Sequence, residues 1–138
     1  MSNRPHKVVA TVLVSLLIVP CWGCGSAGSG TQATLIPVKG KVTYKGKPVT
    51  KGQVTFEPDG YGRPGGGKLQ SDGTFVLGTY KEGDGVVAGH HQVSISGTGS
   101  RAGKEVVPKK YTQRTTSKLE VDVDAEHTEF TFDLKDGK

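Results

Sequence analysis

From Leu35 onward the chain alternates apolar and polar residues with a period of two, in short runs parted by Gly, Pro and Asp, and shows no stretch with a helical period. That pattern belongs to antiparallel strands with one buried face. Seven runs carry it. They are Pro37–Tyr44 with Val38, Val42 and Tyr44; Gln53–Glu57 with Val54 and Phe56; Lys68–Gln70 with Leu69; Thr74–Thr79 with Phe75 and Leu77; His91–Ser96 with Val93 and Ile95; Lys118–Asp124 with Leu119, Val121 and Val123; and Glu129–Leu134 with Phe130, Phe132 and Leu134. Seven strands in a region of this length predict a seven-stranded antiparallel β-sandwich. Asp72-Gly73 and Lys45-Gly46-Lys47-Pro48 supply turn chemistry, since Gly accepts the positive φ of tight turns. Two long connections remain, 58–67 and 97–117.

Ahead of this region the composition changes twice. Arg4, His6 and Lys7 precede an apolar run, Val8–Val19, closed by Pro20. As a helix that run spans only ~18 Å, short of a ~30 Å hydrocarbon core, so it reads as a signal-peptide core and not a membrane span. The sequence Cys21-Trp22-Gly23-Cys24-Gly25 then resembles the lipobox of bacterial lipoproteins, where a small residue precedes the acylated cysteine. The resemblance implies cleavage after Gly23, lipid on Cys24, export, and anchoring in the cell envelope. Residues 25–34 (GSAGSGTQAT) cannot bury apolar surface and read as a flexible tether. The expected organisation is leader 1–23, lipidated Cys and tether 24–34, and a β domain 35–138.

Cysteine usage agrees with this division. With Cys21 removed and Cys24 acylated, no disulfide is left, and the domain must stand on its core. Loss of Arg4 and Lys7 lowers the formal charge of +5 by two, a mildly basic balance that selects no partner by itself.

Five motifs carry a family resemblance. Gly40-Lys41-Val42, then Gly46-Lys47-Pro48-Val49, then Gly52-Gln53-Val54-Thr55-Phe56 resemble the opening of transthyretin-like (prealbumin-like) domains, including the carboxypeptidase regulatory-like module. Ser71-Asp72-Gly73-Thr74-Phe75 is similar to the next hairpin of that family, and Gly89-His90-His91-Gln92-Val93 to its G-x-Y-x-V strand, with His91 in place of Tyr. Gly83-Asp84-Gly85, Val107-Pro108-Lys109-Lys110-Tyr111 and Thr116-Ser117-Lys118-Leu119 resemble a narrower group of small lipoproteins from planctomycete-type bacteria. The resemblance implies transthyretin-like topology and no particular activity.

No catalytic constellation emerges. Gly62-Arg63-Pro64-Gly65-Gly66-Gly67-Lys68 matches the glycine and lysine spacing of a phosphate-binding loop, but Leu69 stands where Ser or Thr would hold magnesium and a hairpin follows where a helix is needed. His90 and His91 are adjacent on one strand and point to opposite faces, with His91 at the edge of the core and His90 in solvent. They cannot share a metal. The hydroxyisourate hydrolases of transthyretin fold end in Tyr-Arg-Gly-Ser, whereas this chain ends Asp133-Leu134-Lys135-Asp136-Gly137-Lys138. An intramolecular Lys–Asn isopeptide bond is unavailable because the one Asn, Asn3, lies in the leader. The expected class is therefore a non-enzyme without cofactor or metal.

Charge gives the remaining signal. In segment 101–118, Arg101, Lys104, Lys109, Lys110, Arg114 and Lys118 face the single acid Glu105, and Glu120, Asp122 and Asp124 follow on the solvent side of the next strand. Two functions fit. One is protein interaction or scaffolding through an exposed sheet edge; the other is carbohydrate or anionic-headgroup binding by the basic loop through Lys109, Lys110 and Arg114. Partners are then the membrane, through Cys24, and an envelope protein or acidic polysaccharide. Nucleic acid is not expected outside the cell. Tyr61, Tyr80 and Tyr111 are the aromatics available to a sugar.

Overall fold

The computed structural model describes residues 33–97 and 107–136, and the regular secondary structure in them is almost entirely β. The leader, Cys24, residues 25–32 and the part of the basic segment that holds Arg101, Lys104 and Glu105 lie outside the described residues.

Two four-stranded sheets carry the fold. In the first, β2 (Lys39–Tyr44) is central, with β10 (Glu129–Leu134) on one side and both β3 (Lys47–Pro48) and β6 (Thr74–Val76) on the other. The second runs in the order β5 (Gly65–Lys68), β4 (Gly52–Pro58), β8 (Gly89–Gly97), β9 (Leu119–Val123). A two-residue ladder joins β1 (Leu35–Ile36) to β7 (Val86–Val87). The β2–β3 turn has positive φ at both central residues, Lys45 (51°) and Gly46 (74°), the geometry whose twist matches a tight hairpin.

Apolar alternation places the core. Val42 of the first sheet, Val38 just before β2, and Val54, Phe56, Val93 and Ile95 of the second are buried in one cluster with Phe75, Leu77, Phe132 and Leu134. Phe56 bridges the sheets, its ring centroid 6.3 Å from Phe75, 5.8 Å from Phe130 and 6.1 Å from Phe132. Leu119, Val121 and Phe130, expected in the core, are only half buried because they sit on the edge strands β9 and β10.

Four expectations need correction. The pairing is not wholly antiparallel, because β10 runs parallel to β2, with Phe132 opposite Val42. Hairpin logic orients sequence neighbours only, and these two strands are far apart in the chain with the whole second sheet between them. The strand expected at 68–70 lies at Gly65–Lys68, with its three glycines in the expected loop 58–67. Its glycines leave no period to read, and they are there because other elements press on β5: a Cβ on Gly65 would stand 2.1 Å from Val86 Cγ1, and one on Gly67 2.5 Å from the Val76 carbonyl.

The third correction concerns the segment after 107, expected to be loop. It forms a 3-10 turn, Lys109–Tyr111, and one helical turn, α1 (Arg114–Ser117), ended by Lys118 in the left-handed region (φ 53°). Val107, Tyr111 and Ser117 are buried, so this segment belongs to the core. Finally, His91, expected at the edge of the core, is wholly buried: it lies 5.9 Å from the Phe56 ring, and its Nε2 donates to the Val87 carbonyl at 2.8 Å. Strand β8 is interior to its sheet, which puts its inward side chains at the deepest level.

Candidate functional site

Lys109 is exposed, but the Lys110 ammonium lies over the Tyr111 ring, 4.6 Å from its centroid. Arg114 reaches back across the second sheet, its Nη1 donating to Glu57 Oε1 at 3.0 Å. Tyr111 is unavailable as a sugar platform: its ring is buried, and its hydroxyl donates to the Lys135 carbonyl at 3.2 Å while accepting from the Lys135 N–H at 3.3 Å. Two of the three cations named from sequence thus have partners within the fold, and the aromatic between them serves packing. The glycine-rich stretch that spaces like a phosphate loop is strand β5, with no helix after it.

An open sheet edge is the more prominent feature. Lys39 N–H donates to the Thr128 carbonyl at 3.0 Å and Lys45 N–H to the Leu134 carbonyl at 3.4 Å, at the two ends of the β2–β10 ladder. The even-numbered residues of β10 therefore turn their backbone toward β2, and by alternation Glu129, Thr131 and Asp133 turn theirs outward. Among the described residues no strand pairs with that outer side. The same alternation carries the edge on to Lys135, where the Tyr111 hydroxyl bonds to both backbone groups and closes it. Glu129, Thr131 and Asp133 are exposed. Asp133 and Glu129 are steadied from β2, by the Thr43 hydroxyl at 3.1 Å and the Lys39 ammonium at 3.4 Å.

On the outer face of the second sheet, His90 points to solvent as expected, but into a ring of carboxylates. Its Nδ1 is 2.8 Å from Asp122 Oδ1 on β9, and its Nε2 is 3.7 Å from Glu120 and 3.8 Å from Asp59, just past β4. The hydrogen bond to Asp122, opposed by partial desolvation and aided by the charges of Asp122, Asp59 and Glu120, raises the His90 pKa above its ordinary value. Only the register of β8 against β9 and β4, not visible in sequence, brings these groups together. Among the described residues no group of His, Cys, Asp and Glu has a geometry that could hold a metal.

No family model and no curated protein matches the chain. Among solved structures it is similar to a DUF3823 family protein from Parabacteroides merdae, at 17% identity and a TM-score of 0.40, over 75% of this chain and 46% of that one. The chain thus spans a little under half the length of that protein.

Proposed function

We propose that this protein is a non-enzymatic, lipid-anchored module of the cell envelope that recruits a protein partner by adding an extended segment of it to the outer edge of β10. The observation that carries the reading is that edge: three residues with outward backbone groups, flanked by a β2 that holds the side chains of Glu129 and Asp133, and ended by a tyrosine hydroxyl. Main-chain pairing of this kind gives affinity, and alternate side chains give selection. The Gly23-Cys24 junction after a short apolar run supports the anchor, and an anchor concentrates the edge beside other membrane-bound proteins, so weak contacts become populated.

The finer fold reading belongs to the same proposal. Seven strands of three residues or more, in two sheets that share the Phe56 cluster, support a seven-stranded sandwich of transthyretin-like topology with one parallel pair. Binding of an anionic polymer by Lys109, Lys110 and Arg114 has weaker support, since Arg114 is paired with Glu57.

The reading is tested by placing a photo-crosslinking residue at Thr131 or, as control, at exposed Ser96 on the outer face of the second sheet, in intact envelopes. A discrete adduct from 131 and none from 96 is the expected outcome. Adducts of equal yield from both positions, or none from 131, would count against it.

A further inference from the structure

Beyond β5 the outer face of the second sheet ends in a cleft of ≈ 290 Å³, and none of the β10 edge residues lines it. Its floor is an isolated glycine bridge. Gly66 N–H donates to the Gly78 carbonyl at 2.9 Å, and Gly78 N–H to the Gly66 carbonyl at 3.0 Å. Gln53 and Lys68 form one wall, and Val76 with the turn carrying Tyr80, Lys81 and Glu82 forms the other.

Four properties of this cleft point to a ligand. Of the described residues, the large exposed hydrophobics are Tyr61, Val76 and Tyr80, and two of these, Val76 and Tyr80, line the same wall of the cleft (48% and 54% exposed). The floor is open at Gly66 although packing does not demand a glycine there. A Cβ on Gly66 would meet only the Gln53 amide at 3.0 Å at close range, whereas one on Gly78 would stand 1.9 Å from the Lys81 carbonyl.

The third property is rigidity. The Asp84 carboxylate accepts the N–H groups of Thr79, Tyr80 and Lys81 at 2.6, 3.0 and 2.9 Å, so the backbone under the Tyr80 ring is fixed before any ligand arrives. Desolvation pushes the Asp84 carboxyl up, but the three bonds together with the Lys81 charge hold it below the usual carboxylate range. The fourth is charge. Lys68 and Lys81 line the cleft against Glu82, and the Arg63 guanidinium stands 5.7 Å from the Tyr80 ring centroid.

An aromatic ring and an aliphatic side chain suit the C–H face of a sugar, an amide and a carboxylate suit its hydroxyls, and a surplus of cations suits an acidic substituent. The volume is at the small end of ligand sites, ~300–1,000 Å³, which fits a short saccharide and not a folded partner. We infer that this cleft binds an acidic saccharide of the uronate type, with its ring on Tyr80 and Val76, its carboxylate toward Lys68 and Lys81, and its hydroxyls toward Gln53 and Glu82. The site is separate from the basic segment and does not rest on the protein-partner reading.

Calorimetric titration of the detergent-solubilised full chain with oligogalacturonate, and with a neutral malto-oligosaccharide as control, tests it. Saturable binding of the acidic oligomer alone is expected, weakening as salt is raised. Tyr80→Ala should reduce affinity by roughly two- to tenfold, the loss of one ring-stacking surface. Gly66→Val, which fills the floor without needing a special φ, should abolish binding while the melting temperature stays near that of the parent. Lys109→Gln with Lys110→Gln should change nothing. The inference is overturned if the parent shows no saturable binding at low salt, if Tyr80→Ala binds like the parent, or if the lysine pair abolishes binding. Tyr80 is exposed, so its substitution remains decisive even if Gly66→Val fails to fold.

Discussion

Phe132→Ala, set beside Thr131→Ala, tests the packing of the two sheets. Phe132 is 7% exposed, with its ring 6.1 Å from Phe56 across the sheets at 78° and 6.3 Å from Phe75 at 22°. Truncating a buried Phe to Ala removes the transfer free energy of the ring and leaves a cavity, at a cost of ~3–5 kcal/mol. Against a domain stability of ~5–15 kcal/mol this is a large fraction. It should lower the melting temperature by roughly 15–30 °C. Thr131 is exposed on the opposite face of the same strand, and its truncation should cost under about 0.5 kcal/mol. Urea unfolding followed by far-UV circular dichroism reads both, since the one tryptophan, Trp22, lies outside the domain. A cycle of Phe56→Leu and Phe132→Leu should add a coupling of ~0.5–1.5 kcal/mol from the ring pair. Equal costs at 131 and 132 would refute the register of β10, and zero coupling would refute the contact between the sheets.

Cys24→Ser should leave an uncleaved or soluble protein, visible as loss of detergent-phase partitioning and of the acyl mass; unchanged partitioning with the parental mass would defeat the lipoprotein reading. Gly65→Ala should destabilise by ~1–3 kcal/mol through the clash with Val86, while Gly66→Ala should be close to neutral, both by thermal melting. Tyr111→Phe should cost ~0.5–1.5 kcal/mol by removing the bonds to Lys135, and should speed amide exchange in the described part of 107–118; no change in either would mean the segment is not held by that hydroxyl. His90 predicts a pH dependence at β9. Its pKa is raised in the folded state, so its contribution is fully present below the unfolded value of 6.5 and is lost as pH rises through the higher folded value. Amide exchange of β9, corrected for its intrinsic pH dependence, should accelerate across that window in the parent and not in His90→Gln.

Most strand positions were legible because the inward faces are large and apolar while the outward ones are polar: Val54/Phe56, Val93/Ile95 and Phe132/Leu134 each mark a buried face that the structure keeps. Gly65–Lys68 was invisible for the converse reason, since a strand of glycine has no side chains to alternate. The helical turn at Arg114–Ser117 is too short for a 3.6-residue period to register. The charge around Tyr111 suggests exposure, yet its ring is buried; Arg114 is exposed as its charge suggests, and only the fold shows that it meets Glu57. The His90 cluster and the Gly66–Gly78 cleft depend on register and on a bridge between distant glycines, and sequence carries no local signal for either. The β10 edge was foreseeable as a sheet edge in general. Which strand would supply it was not, because that follows from the parallel pairing with β2.

The proposed docking mode depends on one outward backbone N–H more than on any side chain. A crosslinking residue at Glu129, combined with Thr131→Pro or Thr131→Val, isolates it in intact envelopes. Proline at an edge position whose N–H faces away from the sheet deletes the donor and spares the β2–β10 ladder, while valine keeps the donor and the strand preference. The account predicts that the adduct from position 129 survives Thr131→Val and disappears with Thr131→Pro, with the melting temperature of both variants near that of the parent. An adduct of undiminished yield in a folded Thr131→Pro protein would contradict it.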